Sequence, residues 1–290
     1  MNDLPRLFAY YLYDIEKPKK EIAHMTAEKN ANPWASLPRG SVVILQTVVG
    51  SSVHGTSVEG TDDRDEMAIC IEPADKVLGL SHFETMVYRT QPEGVRSGPG
   101  DLDLVVHTLR KFARLAARGN PTILLPLFAP SSHIMWSSGL GHALRDQRSM
   151  FVSKAAGRAF LGYFVAQKER LMGDRGQMRV TRPELIEKYG FDTKYAGHVI
   201  RLGWQGIELM ESGKITLPMP PVQRAVVVGV RTGGYTFQQV LSMVGDLERA
   251  LRDAVDASDL PDQADAAKID AFCVGAYLDT WRPHGALYDQ

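Results

Sequence analysis

The chain contains only two cysteines, Cys70 and Cys273, and neither lies in a Cys-x-x-Cys or Cys/His cluster. This scarcity argues against a structural zinc site or a disulfide framework. No apolar run reaches the roughly 18 residues that a membrane-spanning helix needs, and the first residues show no signal-peptide pattern. We therefore expect no membrane partner and a reducing, cytoplasmic location.

The chain as a whole also has no large excess of positive or negative charge, because its formal net charge is −1. The average conceals a contrast: residues 101–231 contain 19 Lys and Arg against 10 Asp and Glu, whereas the segments 1–100 and 232–290 are acidic. A basic middle beside an acidic site fits a polyanionic substrate. Solvated helix faces would give the same charge count, so charge alone leaves both interpretations open.

The hydrophobic patterns predict a sheet followed by helices. Strand patterns cover 42–49, 66–72, 84–90 and 102–107. Helical spacing begins at Thr108, and no internal repeat or low-complexity tract is present. We predict an α+β fold, with a small mixed sheet in a catalytic domain over residues 1–135 and an all-helical domain over 136–290. A hairpin loop is predicted at 91–100 and helices near 19–29 and at 121–127, 138–148, 153–172, 182–188, 193–212, 219–231, 236–257 and 263–281.

A cluster of carboxylates follows the first buried strand. That strand leads into a Gly50-Ser51 turn, and Asp63 and Asp65 stand at the entry of the next strand. Alternate residues of a strand share a face, so these two carboxylates point the same way. Adjacent carboxylates repel each other unless a cation bridges them, and magnesium prefers oxygen ligands. The turn offers backbone N–H groups to a triphosphate.

A third carboxylate from a neighbouring strand would complete such a site. Asp103, in the apolar strand at 102–107, is the candidate, and Asp101 shares its face. Two divalent ions about 3.5–4 Å apart stabilise both the attacking and the leaving oxygen of an in-line displacement. The alternatives are a solvated acidic turn at 62–66 and an edge residue at 103.

The segment Gly50-Ser51-x-x-His54-Gly55-Thr56, followed by Asp63-x-Asp65, resembles the hG[GS]…DxD motif of the DNA polymerase beta nucleotidyltransferase superfamily. Later segments narrow the resemblance to a branch of predicted nucleotidyltransferases associated with RNA repair. The resemblance runs from about residue 42 to 255. The later segments are Asp103–Phe112 with Leu115, Gly119–Thr122, Ser153-Lys154, Gly162-Tyr163 with Gln167 and Arg170, Lys194–Leu202, and Gly206, Glu208, Gly213 and Lys214.

The resemblance implies transfer of a nucleoside monophosphate from an NTP, with release of pyrophosphate. It also implies two Mg²⁺ ions, with Mn²⁺ as an alternative. Carried over by position, Gly50 and Ser51 hold the β and γ phosphates, and Asp63 and Asp65 bind both metals. Asp103 binds the catalytic metal and helps to deprotonate the attacking hydroxyl.

Several basic and aromatic residues are further candidates for nucleotide binding. Lys194, His198 and Arg201 fall at i, i+4 and i+7 and form one helical stripe, which suits phosphate oxygens. Lys154 and Tyr163 are candidates on an earlier helix, with an ordinary helix surface as the alternative for Lys154. The remaining candidate, His54, either contacts phosphate or packs beneath the turn.

The acidic motif departs from the pattern of many relatives, which read Ser-Asp-x-Asp. This chain reads Thr61-Asp62-Asp63-Arg64-Asp65, with one extra residue after the turn. Asp62 takes a ligand role if the register differs by one.

The function predicted from these features is that of a metal-dependent nucleotidyltransferase acting on an RNA end, with tRNA as one candidate. Two alternatives stay open. The acceptor is instead a protein or a small molecule, or the site is degenerate and binds nucleotide or RNA without turnover.

Overall fold

The structure is a computed structural model and describes residues 32–60, 62–92, 94–173 and 182–282. The helix predicted near 19–29 lies outside these ranges. The sheet has five strands in the order β3-β4-β2-β1-β5. It is mixed, because β2 and β4 are parallel while the other neighbours are antiparallel. The strands are β1 (Val42–Val48), β2 (Arg64–Ile71), β3 (Thr85–Arg89), β4 (Leu102–Thr108) and β5 (Ile134–Ser137).

Helices make up most of the rest, and the predicted α+β class is confirmed. Two are short, α1 (Gly50–His54) and α2 (Ala74–Leu78), and two 3₁₀ turns occur at 131–133 and 148–151. The longer helices are α3 (Leu109–Ala117), α4 (Pro121–Phe128), α5 (Gly139–Asp146), α6 (Lys154–Met172), α7 (Pro183–Tyr189), α8 (Thr193–Ser212), α9 (Pro221–Arg231), α10 (Phe237–Ala257) and α11 (Ala266–Trp281).

Local signals explain where several helices begin and end. Asn120 caps α4 by accepting hydrogen bonds from the backbone of Thr122 and Ile123, and Pro121 occupies the first helical position. Helices α6 and α8 end at Gly173 and Gly213, where φ is +80° and +68°. Glycine adopts these left-handed angles without the steric cost that a Cβ would add.

The two faces of the sheet are covered differently. On one face, Met67, Ile69 and Ile71 of β2 belong to a large core that also includes side chains from α3, α4, α6, α8 and α10. On the other, Ala68 and Cys70 belong to a small core with Leu104 and Val106 of β4. This division follows the two-residue period of a strand, which sends neighbouring side chains to opposite faces.

The large core continues from the sheet into the helices, and α8 is at the centre of the helical part, in contact with α6, α9 and α10. Strand β5 spans residues 134–137, so the sheet runs slightly past the domain boundary predicted at 135, and that boundary stays a prediction. Among the described residues, no helix is both long and apolar enough to cross a membrane.

Candidate active site

Three carboxylates meet at one end of the sheet. Asp63 precedes β2, Asp65 lies in β2, and Asp103 lies in β4. The parallel register places Asp65 directly beside Asp103, so their side chains share a face. One oxygen from each of the three carboxylates lies within 4.8 Å of the other two, and all three residues are half-buried. The structure therefore brings together the three residues that strand spacing singled out.

Crowding of negative charge perturbs the central member of this group. Burial, followed by the charges of Asp63 and Asp103, raises the pKa of Asp65 to about 6, while the charge of Lys194 opposes the increase. A divalent cation would relieve this repulsion, and carboxylate oxygens are the ligands that Mg²⁺ prefers. Within the described ranges this is the one such group of three His, Cys, Asp or Glu residues. The donor set therefore fits a divalent cation.

Asp103 is oriented by two residues that the sequence analysis did not identify. Arg89 Nε donates to Asp103 Oδ1 at 3.1 Å, and Ser97 Oγ donates to the same oxygen at 2.8 Å. Arg89 Nη2 also donates to Ser97 Oγ at 2.6 Å. The antiparallel register pairs Arg89 with Asp103. The hairpin loop predicted at 91–100 joins their two strands and so could have indicated that these residues are neighbours.

The Gly50-Ser51 turn borders the carboxylates and forms the start of α1. Gly50 has φ +65°, and a Cβ built there would lie only 2.0 Å from Asp65 Oδ2. Two constraints, the left-handed backbone and the approach of Asp65, therefore call for glycine at this position. Ser51 is half-buried, and its hydroxyl accepts a hydrogen bond from Ser57 Oγ at 3.3 Å.

His54 lies on the inner side of α1 and is only 2% exposed. Its Nδ1 accepts a hydrogen bond from Gln205 Nε2 of α8 at 3.0 Å. Burial, followed by the charges of Arg201 and His198, holds the pKa of His54 well below its ordinary value. A neutral, interior histidine is what packing beneath the turn requires, so this placement favours packing over phosphate contact.

Asp62 is not a member of the carboxylate group and bonds instead to side chains of the helices. Its carboxylate accepts hydrogen bonds from Val58 N at 2.8 Å, from Lys194 Nζ at 3.0 Å and from Arg231 Nη2 at 2.8 Å to each oxygen. Arg231 also donates to Thr56 O. The ligand role left open for Asp62 has no counterpart in this geometry, because Asp63 occupies the position beside Asp65 and Asp103.

The basic stripe of α8 points toward α1 and the acidic loop. Lys194 pairs with Asp62, and Arg201 bonds to His198 Nδ1 at 2.9 Å and to Gln205 Oε1 at 2.8 Å. Burial, followed by the charge of Arg231, lowers the pKa of Arg201 to about 10. No ion pair joins Arg201 to a carboxylate in the described part of the chain. Gln205, which the sequence analysis missed, links this stripe to the α1 histidine.

The structure places Lys154 apart from the carboxylates and joins Tyr163 to the capping residue of α4. Lys154 begins α6 and lines a cavity of about 300 Å³ with Arg158 and Arg252. Gly157 of α6 packs on Met210, which lies about 24 Å along α8 from Lys194 by the helical rise of 1.5 Å per residue. Tyr163 accepts a hydrogen bond from Asn120 Nδ2 at 2.9 Å. A role for these two residues in nucleotide binding stays a prediction.

Comparison with known proteins identifies the family. Residues 16–275 match the model of the RNA repair pathway DNA polymerase beta family, RlaP. Among solved structures, the chain is similar to a nucleotidyltransferase-like protein from Exiguobacterium sibiricum 255-15, with 12% sequence identity, a TM-score of 0.28, and coverage of 74% of this chain and 69% of that one. Comparison with curated proteins gives no match. The chain belongs to the RNA repair pathway DNA polymerase beta family and is a nucleotidyltransferase.

Proposed function

We propose that the chain transfers a nucleoside monophosphate from an NTP to a hydroxyl of an RNA acceptor and releases pyrophosphate. The observation that carries this proposal is the group formed by Asp63, Asp65 and Asp103, whose oxygens lie within 4.8 Å of one another. Structural roles seldom require three half-buried carboxylates so close together, because each disfavours ionisation of the others. A divalent cation shared by the three supplies the missing compensation.

The proposed roles are those that the family resemblance assigns to these positions. Asp63 and Asp65 hold Mg²⁺, or Mn²⁺ in its place, and two ions are expected. When bound, the cations stabilise the negative charge on the phosphate oxygens of the NTP. Asp103 contributes the third ligand and accepts the proton of the attacking hydroxyl. The turn at Gly50 and Ser51, which borders the carboxylates, is proposed to hold the β and γ phosphates of the NTP.

RNA is the proposed acceptor for two reasons. The matching family is described as part of an RNA repair pathway. In addition, residues 101–231 contain 19 basic and 10 acidic residues, and an excess of basic residues favours binding of a phosphate backbone. A tRNA end is one acceptor of this class. The cytoplasmic location expected from the sequence stays a prediction.

The test is a transfer assay with each labelled NTP, Mg²⁺ and total RNA, using the wild type, Asp65→Asn and Asp103→Asn. We expect label in the RNA fraction, and a loss of more than about a hundredfold in each variant, because a missing ligand weakens both cation binding and charge stabilisation. Asp75→Asn is the matched control, because its side chain is 67% exposed and lies outside the site.

Three outcomes would contradict the proposal. Equal labelling by the wild type and Asp65→Asn would remove the carboxylates from the chemistry. Label confined to protein or to small molecules would replace the RNA acceptor. Tight NTP binding without pyrophosphate release, under every acceptor condition, would indicate a binding module instead.

A further inference from the structure

The carboxylate next to the proposed metal ligands is held by two cations from the helical region. Asp62 directly precedes Asp63, yet its side chain is only 5% exposed and contacts Lys194 and Arg231. Arg231 is itself 7% exposed and makes a further bond to Thr56 O. These contacts join the loop before β2 to α8 and α9. Asp62 therefore occupies a fixed, enclosed position beside the site.

Lys194 differs from Arg231 in its freedom to move. Its side chain is 37% exposed, and its ammonium bonds to Asp62 Oδ1 at 3.0 Å. Its charge also acts on Asp65, where it opposes the increase in pKa caused by the other carboxylates. A lysine ammonium is a compact charge on a flexible stem of four carbons. Lys194 could therefore pair with the three carboxylates if nothing held it elsewhere.

We propose that Asp62 is a positioning residue that holds the Lys194 ammonium away from Asp63, Asp65 and Asp103, and so keeps their oxygens available to a divalent cation. This inference rests on the proposed function. Without the charge of Asp62, the ammonium turns to the nearest carboxylates and competes with the cation for them. An opposite charge close to a carboxylate lowers its proton affinity by about ten- to a thousandfold. We expect the competition between the ammonium and the divalent cation to be of similar size.

Asp62 also ties the loop to the helices, and that purely structural role needs a separate readout. In a structural role, loss of Asp62 weakens cation binding because the loop moves, whatever residue stands at 194. In the positioning role, removing the ammonium restores binding even when Asp62 is absent. The pair of variants Asp62→Asn and Asp62→Asn/Lys194→Met separates the two.

The experiment measures Mn²⁺ affinity from the electron paramagnetic resonance signal of free Mn²⁺, without nucleotide. It compares the wild type with Asp62→Asn, Lys194→Met, the double variant and Asp65→Asn, and thermal unfolding is recorded for each. Asparagine keeps the size of Asp62 and can still accept hydrogen bonds from Arg231 and Val58. We expect about tenfold weaker binding in Asp62→Asn, and recovery to within about twofold of the wild type in the double variant.

Each result bears on the inference. Unchanged Mn²⁺ affinity in Asp62→Asn overturns it, and so does weak binding that Lys194→Met fails to restore. The single variant Lys194→Met changes a partly exposed side chain, so the test stays valid if Asp62→Asn does not fold. Tenfold weaker Mn²⁺ binding in Lys194→Met would also overturn the inference. Failure of the proposed function is distinguishable, because the wild type then binds no Mn²⁺ or Asp65→Asn binds it as tightly.

Discussion

Replacing Gly50 with alanine moves a carboxylate without removing it. The new Cβ would lie 2.0 Å from Asp65 Oδ2 and 2.7 Å from Cγ, whereas ordinary contacts begin at 3.4 Å. The Asp65 carboxylate must therefore shift by about 1.4 Å, the difference between 3.4 and 2.0 Å. A misplacement of about 1 Å in a catalytic geometry can cost about a hundredfold in rate, so we expect at least that loss in the transfer assay.

The backbone at Gly50 adds a cost that has nothing to do with Asp65. A residue with a Cβ pays about 1–2 kcal/mol in the left-handed region, and Gly50 has φ +65°. Gly190→Ala is the matched control, because Gly190 has φ +83° and open space where its Cβ would stand. Both variants should lose about the same stability to urea from the backbone.

The comparison between these two variants isolates the contact with Asp65. We expect weaker Mn²⁺ binding and lower transfer activity in Gly50→Ala alone. Wild-type Mn²⁺ affinity in Gly50→Ala would refute the reasoning, because the carboxylate would then tolerate a methyl group in the space that Oδ2 occupies. Equal losses of Mn²⁺ affinity and transfer activity in Gly190→Ala would refute it as well, since the losses in Gly50→Ala would then come from global destabilisation.

Two further predictions concern stability. Burial holds the pKa values of His54 and His198 well below the ordinary 6.5 and lowers that of His107 to about 4. Below pH 6.5 the unfolded chain therefore binds protons that the folded chain excludes. The free energy of unfolding should fall as the pH drops below 6.5, by about 1.4 kcal/mol per pH unit for each histidine. Urea midpoints that stay level from pH 7 to 5 would contradict this prediction. Tyr277→Phe removes the 2.7 Å hydrogen bond to the fully buried Glu72, and urea unfolding should show a loss of about 1–3 kcal/mol, whereas an unchanged midpoint would mean that this carboxylate has other support.

The strands could be predicted because their signal is local. Alternation over 42–49, 66–72, 84–90 and 102–107 matches β1 to β4 within two residues at each end. β5 escaped prediction because a strand of four residues at the sheet edge gives too short a pattern, and its pairing with β1 depends on residues about ninety positions earlier.

The carboxylate group could be predicted for the same reason. Residue parity within a strand decides which face a side chain takes, so Asp65 and Asp103 share a face once their strands are neighbours. The partners of these carboxylates could not be predicted in this way. Gln205 reaches His54 across 151 positions, and Lys194 reaches Asp62 across 132, through helix packing that no local pattern encodes.

The family resemblance indicated candidate nucleotide-binding residues but not how far each lies from the carboxylates. Lys154 and Lys194 both belong to segments that resemble RNA-repair nucleotidyltransferases, and both are basic residues in the first turn of a long helix. The antiparallel packing of α6 on α8 places these first turns at opposite ends of the pair. Only the three-dimensional arrangement separates the residue beside the carboxylates from the one that is remote.

The return of the last described helix to the sheet has a consequence for how the protein is made. Tyr277 and Trp281 bond to Glu72, about two hundred positions earlier, so α11 completes the surroundings of β2. During synthesis on the ribosome, β2 emerges long before the helix that supplies these two bonds. A product terminated early, upstream of Ala266, would leave the Glu72 carboxyl without its tyrosine partner. Only polypeptides translated through α11 would therefore make the contacts that fix Glu72 at the end of β2.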